Sequence, residues 1–184
     1  MLDLLKNNGD LSPLALTENV EKPQLKQSLQ EWMAVLSFRW LAAEATPIQP
    51  DAYPYGETEK EFLESAARGH KVFNSAGEGS CISCHKNYGR EAPFSYDEWG
   101  TIVRPRNFYD GIFRGGRRPI DLYFRVWGGI KGVGMTSYDN TLRPNDDQKS
   151  QKIDPMWDVV NFMRALPYAE LRAKLKEQHK VNID

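Results

Sequence analysis

Apolar residues recur at three- and four-residue steps in several stretches of the chain, the spacing that lines one face of a helix. In QSLQEWMAVLSFRWLAAEA, residues 27–45, this sets Leu29, Trp32, Met33, Leu36 and Trp40 on one side. In ETEKEFLESAARGHKVFNS it aligns Phe62, Ala66, Gly69 and Phe73, with acids at the start and a polar stop at the end. RPIDLYFRVWGGI opens on proline with Asp121 in its first turn and closes on paired glycines, the signals that start and stop a short helix. DPMWDVVNFMRALP offers Asp154 as a cap before Pro155, then Met156, Val159, Val160 and Met163 along one face, with Pro167 past its end.

These elements divide the chain into a helical extension and connector over residues 1–56, a main domain over 57–168, and a charged tail over 169–184. Gly69 carries no side chain, so its helix is expected to approach the 155–166 helix closely, with Phe73, Trp157 and Phe162 around the contact. The apolar stripe of residues 27–45 is expected to pack on the neighbouring domain; its other use is a contact to a further subunit. The tail reads as a solvated, fraying helix.

Composition narrows the class. With 40% apolar and 11% aromatic residues in 184 the chain can build a packed core. A formal net charge of -1 supplies no global field for nucleic acid, so nucleic-acid binding is not expected. No apolar run reaches the roughly 18 residues that span a bilayer, and residues 1–20 lack a secretory pattern. The chain as given therefore reads as soluble, with a removed signal, an anchor or a longer precursor left open.

The chemistry concentrates in GEGSCISCHKNYGR, which holds both cysteines, Cys81 and Cys84, and His85 directly after them. C-x-x-C serves as a redox dithiol, as half of a metal site, or as an anchor for haem. A thioredoxin-like motif needs no histidine there and expects a strand before it and a long helix after it. Zinc would need about four ligands, and only His70 and His179 remain as nitrogen donors, both remote in sequence. Haem c uses every residue of the motif: thioethers from Cys81 and Cys84, and His85 under the iron.

A second axial ligand is sought among five methionines. Met1 is terminal, Met33 lies far upstream, and Met156 and Met163 are explained by helical spacing. Met135 stands in GGIKGVGMTSY, where Gly128, Gly129, Gly132 and Gly134 let backbone pass close to a flat ligand and a loop aim a thioether at the open face of the iron. Its competitors are His70, read as a surface or packed helical residue, and His179 in the charged tail.

Taken in order, GHKVF, CISCH, RPRNF, GGRRPIDLYFRVWGGIKGVGMTSY and MWDVVNFMRALPY resemble a class I c-type cytochrome domain over about residues 64–168. The resemblance implies an all-α cytochrome c fold around one covalent haem c, with the helical N-terminal extension added to it. It also implies axial ligation by His85 and Met135, the first and last helices crossed, and a proline carbonyl accepting from the free nitrogen of His85, with Pro105 as the candidate. The sequence departs from the family pattern at MTSY, where many members have proline after methionine, and at NYGREAPFSYDEWG, which replaces a shorter glycine-rich stretch.

Arg104, Arg106, Arg114, Arg117, Arg118 and Arg125 crowd the centre, and guanidinium groups suit the two haem propionates; Arg106, beside Pro105, is the candidate. The others read as a solvated positive face or as a docking surface for an acidic redox partner. The expected function is one-electron transfer by a monohaem cytochrome, as a shuttle or as the cytochrome subunit of a respiratory complex, with residues 27–45 as a contact to other subunits. The chain is then a carrier and not itself an enzyme, matured outside the cytoplasm, in the periplasm. If Met135 does not bind iron, the alternative is a five-coordinate haem enzyme or sensor for a small ligand.

Overall fold

The structure, a computed structural model, describes residues 22–75 and 80–183. Met1 and the rest of the extension up to residue 21, residues 76–79 of the GEGSCISCH stretch, and Asp184 lie outside the described residues. The chain is mostly helical, with seven α-helices among the described residues, and it divides into two compact units, Met1–Gln49 and Pro50–Asp184.

In the first unit, α1 spans Lys22–Ala45. Its apolar residues go round the helix, because Val35, Phe38 and Leu41 stand off the Leu29, Trp32, Leu36 and Trp40 stripe. All of these side chains are exposed, Phe38 at 73% and Trp40 at 71%, so the unit does not bury its own stripe. No described helix is long and apolar enough to cross a membrane.

The second unit is built on α2 (Glu59–Phe73) and α6 (Pro155–Ala165). Between them come α3 (Cys81–Cys84), a 3-10 turn (Lys86–Gly89), strands β1 (Ser95–Tyr96) and β2 (Ile102–Val103), a second 3-10 turn (Phe108–Asp110), α4 (Pro119–Gly128) and α5 (Asp146–Ser150). Helix α7 (Ala169–His179) follows. Asp154 caps its helix as the sequence suggests, accepting from the amides of Met156 and Trp157 at 2.8 and 3.2 Å, and Thr58 accepts from that of Glu61 at 3.3 Å. The two strands pair antiparallel, Ser95 opposite Val103 and Tyr96 opposite Ile102.

Helices α2 and α6 meet at Gly69, where a β-carbon would stand 2.0 Å from the Asp158 carbonyl oxygen and 2.9 Å from Phe162 Cβ. Phe73 and Phe162 pack edge to face at 5.5 Å beside this contact. Trp157 does not join them: it lies five positions before Phe162, about 140° round the helix. It packs instead on Tyr53 at 5.2 Å and Tyr123 at 4.6 Å.

A polar group crosses the same interface. Asp158, buried, accepts from Arg68 through Nε at 2.9 Å and a second nitrogen at 3.0 Å, from Ser65 at 2.7 Å and from the Tyr55 hydroxyl at 2.5 Å. Burial pushes the Tyr55 hydroxyl up to about 12, and the neighbouring Asp158 carboxylate adds to the effect. Asn161 donates to Ser65 and Tyr53, each at 2.9 Å. Both oxygens of the carboxylate are thereby engaged, which is what makes a buried charge tolerable.

Two expectations are corrected here. The connector is structural from Pro50 onward, since the Asp51 carbonyl accepts from the Trp157 indole at 2.9 Å and Tyr53 and Tyr55 enter the polar group. The 169–183 segment is no solvated tail either, because Leu175, Val181 and Ile183 are buried. In both cases contacts remote in sequence decide the outcome: hydrogen bonds tie the connector to α6, and apolar side chains of the last segment enter the core.

Candidate functional site

The candidate site grows from the single turn α3, which puts Cys81 and Cys84 three apart on one face, with His85 as the residue that ends it. The His85 amide donates to the Cys81 carbonyl at 2.9 Å, so the ring leaves the turn in a fixed place. The cysteines are not joined to each other. Burial raises the Cys81 thiol, and a hydrogen bond from the Tyr138 hydroxyl works against that rise.

Three residues after His85 take left-handed backbone, Asn87 (φ 49°), Tyr88 (φ 56°) and Gly89 (φ 92°). Asparagine tolerates this geometry, whereas for a bulky residue such as tyrosine it is unusual. Gly89 is required by space as well: a β-carbon there would stand 1.9 Å from the Arg106 carbonyl oxygen. That same carbonyl lies 3.2 Å from His85 Nδ1. The acceptor is therefore Arg106 and not Pro105, the candidate named from the sequence. In extended backbone successive carbonyls point to opposite sides, and the side that His85 and Gly89 meet is that of Arg106. Arg106 thus takes part through its main chain.

The imidazole stacks on Phe108, with centroids 4.6 Å apart and planes 24° from parallel, and Phe108 is set by the Asn107 cap of its 3-10 turn. Burial holds His85 below the usual histidine range, and the Arg106 carbonyl partly offsets this. With Nδ1 facing a carbonyl, the neutral ring carries its proton there and presents Nε2 as the donor to a metal, the arrangement by which a second shell fixes a ligand.

Met135 is half-buried in a loop pinned at its base, where the Ile130 amide donates to the Met135 carbonyl at 2.9 Å. Gly129, Gly132 and Gly134 all have positive φ, and a β-carbon at Gly129 would stand 2.5 Å from the Met135 carbonyl oxygen. Three residues on, the Tyr138 amide donates to Val126, tying the loop to α4, and the Tyr138 hydroxyl reaches the Cys81 thiol. The loop that carries Met135 is thereby brought to the corner that carries the motif. The β1–β2 hairpin holds it from the other side: the Glu98 amide donates to the Gly132 carbonyl at 3.0 Å, and the Trp99 ring covers Gly132.

Of the other candidates, His70 is engaged by the Tyr88 hydroxyl at 3.2 Å and the Asn182 carbonyl at 3.1 Å, as a packed residue would be. His179 falls in the last turn of α7. Arg104 spends its guanidinium on the carbonyls of Ala92 and Arg90, each at 2.9 Å, Arg117 on the Tyr168 hydroxyl at 2.9 Å, and Arg118 on Asp121 at 2.7 Å. Among the described residues no cluster of three or more His, Cys, Asp or Glu is placed to hold a metal ion. Sequence reasoning missed Tyr138, Phe108, Gly89 and Trp99; of these only the "YG" pair after the motif carried a local signal, a turn glycine.

No family model matches the chain, and no curated protein matches it. Among solved structures, a chain of the Kuenenia stuttgartiensis reducing HAO-like protein complex Kustc0457/Kustc0458 is similar, with a TM-score of 0.50 and 24% identity, over 66% of this chain and 50% of that one. The likeness is one of fold, and this chain spans about half the length of that neighbour.

Proposed function

We propose that this protein is a c-type cytochrome that carries single electrons within a redox complex. The observation that carries the reading is the pairing of Cys81 and Cys84 on one turn with a histidine whose Nδ1 is already committed to the Arg106 carbonyl. That donor set fits haem c: two thiols for thioether attachment and one oriented Nε2 for the iron. Haem held there supplies a one-electron change at iron, and a thioether as the second ligand favours a high potential.

Within this reading Met135 would hold the iron together with His85, and its glycine-rich loop, fixed at Ile130, Gly132 and Tyr138, sets where the thioether can reach. His85 donates its Nδ1 proton to Arg106 and stacks on Phe108, which holds the ring plane. The Arg106 guanidinium is assigned to a haem propionate. His85 itself is half-buried.

A place in a larger assembly is supported by two observations. Helix α1 exposes large apolar side chains all round, as an interface does. The similar solved chain belongs to a two-component complex. Covalent haem attachment goes with maturation outside the cytoplasm, and the periplasm is the compartment we assign.

The test is an optical spectrum of the purified protein, oxidised and reduced, in wild type and in Met135→Ala. A low-spin spectrum with the weak far-red thioether-to-ferric-iron band, lost in the variant, is the expected result. A high-spin wild-type spectrum that shifts with carbon monoxide or cyanide removes Met135 from the ligand set and turns the reading to a small-ligand enzyme or sensor. A protein without covalent haem sinks it altogether.

A further inference from the structure

Residues 180–183 are gripped by side chains that come from the two segments on which the geometry of His85 depends. Lys180 takes left-handed backbone (φ 55°) at the end of α7 and turns the chain back, and the Val181 amide donates to the Leu175 carbonyl at 3.3 Å. The Tyr88 hydroxyl donates to the Asn182 carbonyl at 3.0 Å, and His70 Nε2 lies 3.1 Å from that same oxygen. The Tyr109 hydroxyl and the Arg90 guanidinium reach the Ile183 carbonyl, the latter at 3.3 Å. The guanidinium carbons of Arg90 and Arg172 stack on the Tyr109 ring, 4.2 and 4.6 Å from its centroid.

The positions of these side chains in the chain matter more than their number. Tyr88 and Arg90 follow His85 by three and five residues, and Tyr109 follows Arg106 by three. One segment carries the imidazole and the other carries the carbonyl that receives its Nδ1 proton. A short stretch that hydrogen-bonds to both fixes their separation. Tyr88 also stands in backbone that a tyrosine does not choose by itself, so an outside restraint is needed to keep it there.

We infer that residues 180–183 form a strap that positions His85, with Tyr88 and Tyr109 as the positioning residues through which it acts. The inference rests on the haem reading above, and deepens it by naming what holds the ligand from behind.

The test uses haem-loaded, reduced protein and reads exchange of the His85 Nδ1 proton with water by NMR, beside amide exchange at Val159 and Val160 in the core of α6. Tyr88→Phe and Tyr109→Phe each remove one hydroxyl and keep the ring. Nδ1 exchange is expected to quicken about five- to tenfold in each, the effect on local opening of one lost hydrogen bond, and further in the double variant, with the α6 amides unchanged.

Unchanged Nδ1 exchange overturns the inference, and so does an acceleration shared equally by Val159 and Val160, which would make the hydroxyls contributors to general stability only. If Tyr88→Phe takes up no haem, Tyr109→Phe, which keeps both guanidinium contacts, carries the test. Wild-type protein without covalent haem fails the functional reading first and the strap's role with it; haem present with exchange unmoved fails the strap alone.

Discussion

The backbone of Gly69 lies against the carbonyl of Asp158, so close that a β-carbon on the glycine would sit 2.0 Å from that oxygen. Because the obstruction is main chain in a regular helix, neither side can step aside cheaply. Gly69→Ala is expected to destabilise the second unit by about 3 kcal/mol or more, despite alanine's better helix propensity. A urea midpoint within error of wild type would show that α2 and α6 can separate without loss.

Asp158 makes a second prediction at the same contact. Removing the carboxylate leaves the Arg68 guanidinium and the hydroxyls of Ser65 and Tyr55 short of their acceptor. Asp158→Ala should cost about 3–5 kcal/mol, the usual effect of breaking one side of a buried pair. Arg68→Ala should cost nearly as much, and the double variant less than the sum of the two, which a double-mutant cycle by denaturant unfolding would measure.

Asp154 predicts a pH dependence. Burial pushes its carboxyl up to about 6, against the downward pull of the Trp157 and Met156 amides it caps. Ionisation is thus harder in the folded chain than in the unfolded one. The stability this group contributes is full below its unfolded value, near 3.8, and is lost as the pH rises through about 6. Asp154→Asn keeps the cap and removes the titration. Wild type should lose about 1–3 kcal/mol relative to the variant between acid and neutral pH, read from urea midpoints at a series of pH values. Parallel curves for the two proteins would contradict it.

Trp99 tests the hold of the hairpin on the Met135 loop. The ring is exposed but covers Gly132. With haem bound as proposed, Trp99→Ala should loosen the loop by about 1 kcal/mol and bind cyanide in the ferric state roughly fivefold more readily. The check is a cyanide titration followed optically, in which equal affinities for wild type and variant would assign the hairpin another purpose.

The longer helices were legible in the sequence because their ends carry chemistry that works locally: Asp154 before Pro155, the acids that open the 59–73 helix, Pro119 with Asp121. Gly69 was legible as a close approach for the same reason, a missing side chain on an apolar face. The motif of Cys81, Cys84 and His85 announced itself by spacing. What lay beyond reading depends on long-range geometry. Whether His85 faces the carbonyl of Pro105 or Arg106 turns on the path of an extended segment, not on residue type. Tyr138 meets Cys81 across 56 intervening positions of unrelated pattern. Val181 and Ile183 flank an exposed Asn182, as a strand would, yet they are core because α7 turns back at Lys180.

The connector before α2 has a practical meaning for anyone dividing this chain. By its hydrophobic pattern the main domain starts at about residue 57, and a fragment begun there would contain every helix of the second unit. It would also strand the Trp157 indole without the Asp51 carbonyl, Asn161 without the Tyr53 hydroxyl, and Asp158 without Tyr55. Seven residues that look like a spacer therefore decide whether an excised domain is a sound protein or one with broken polar contacts at its centre, and the cut belongs before Pro50.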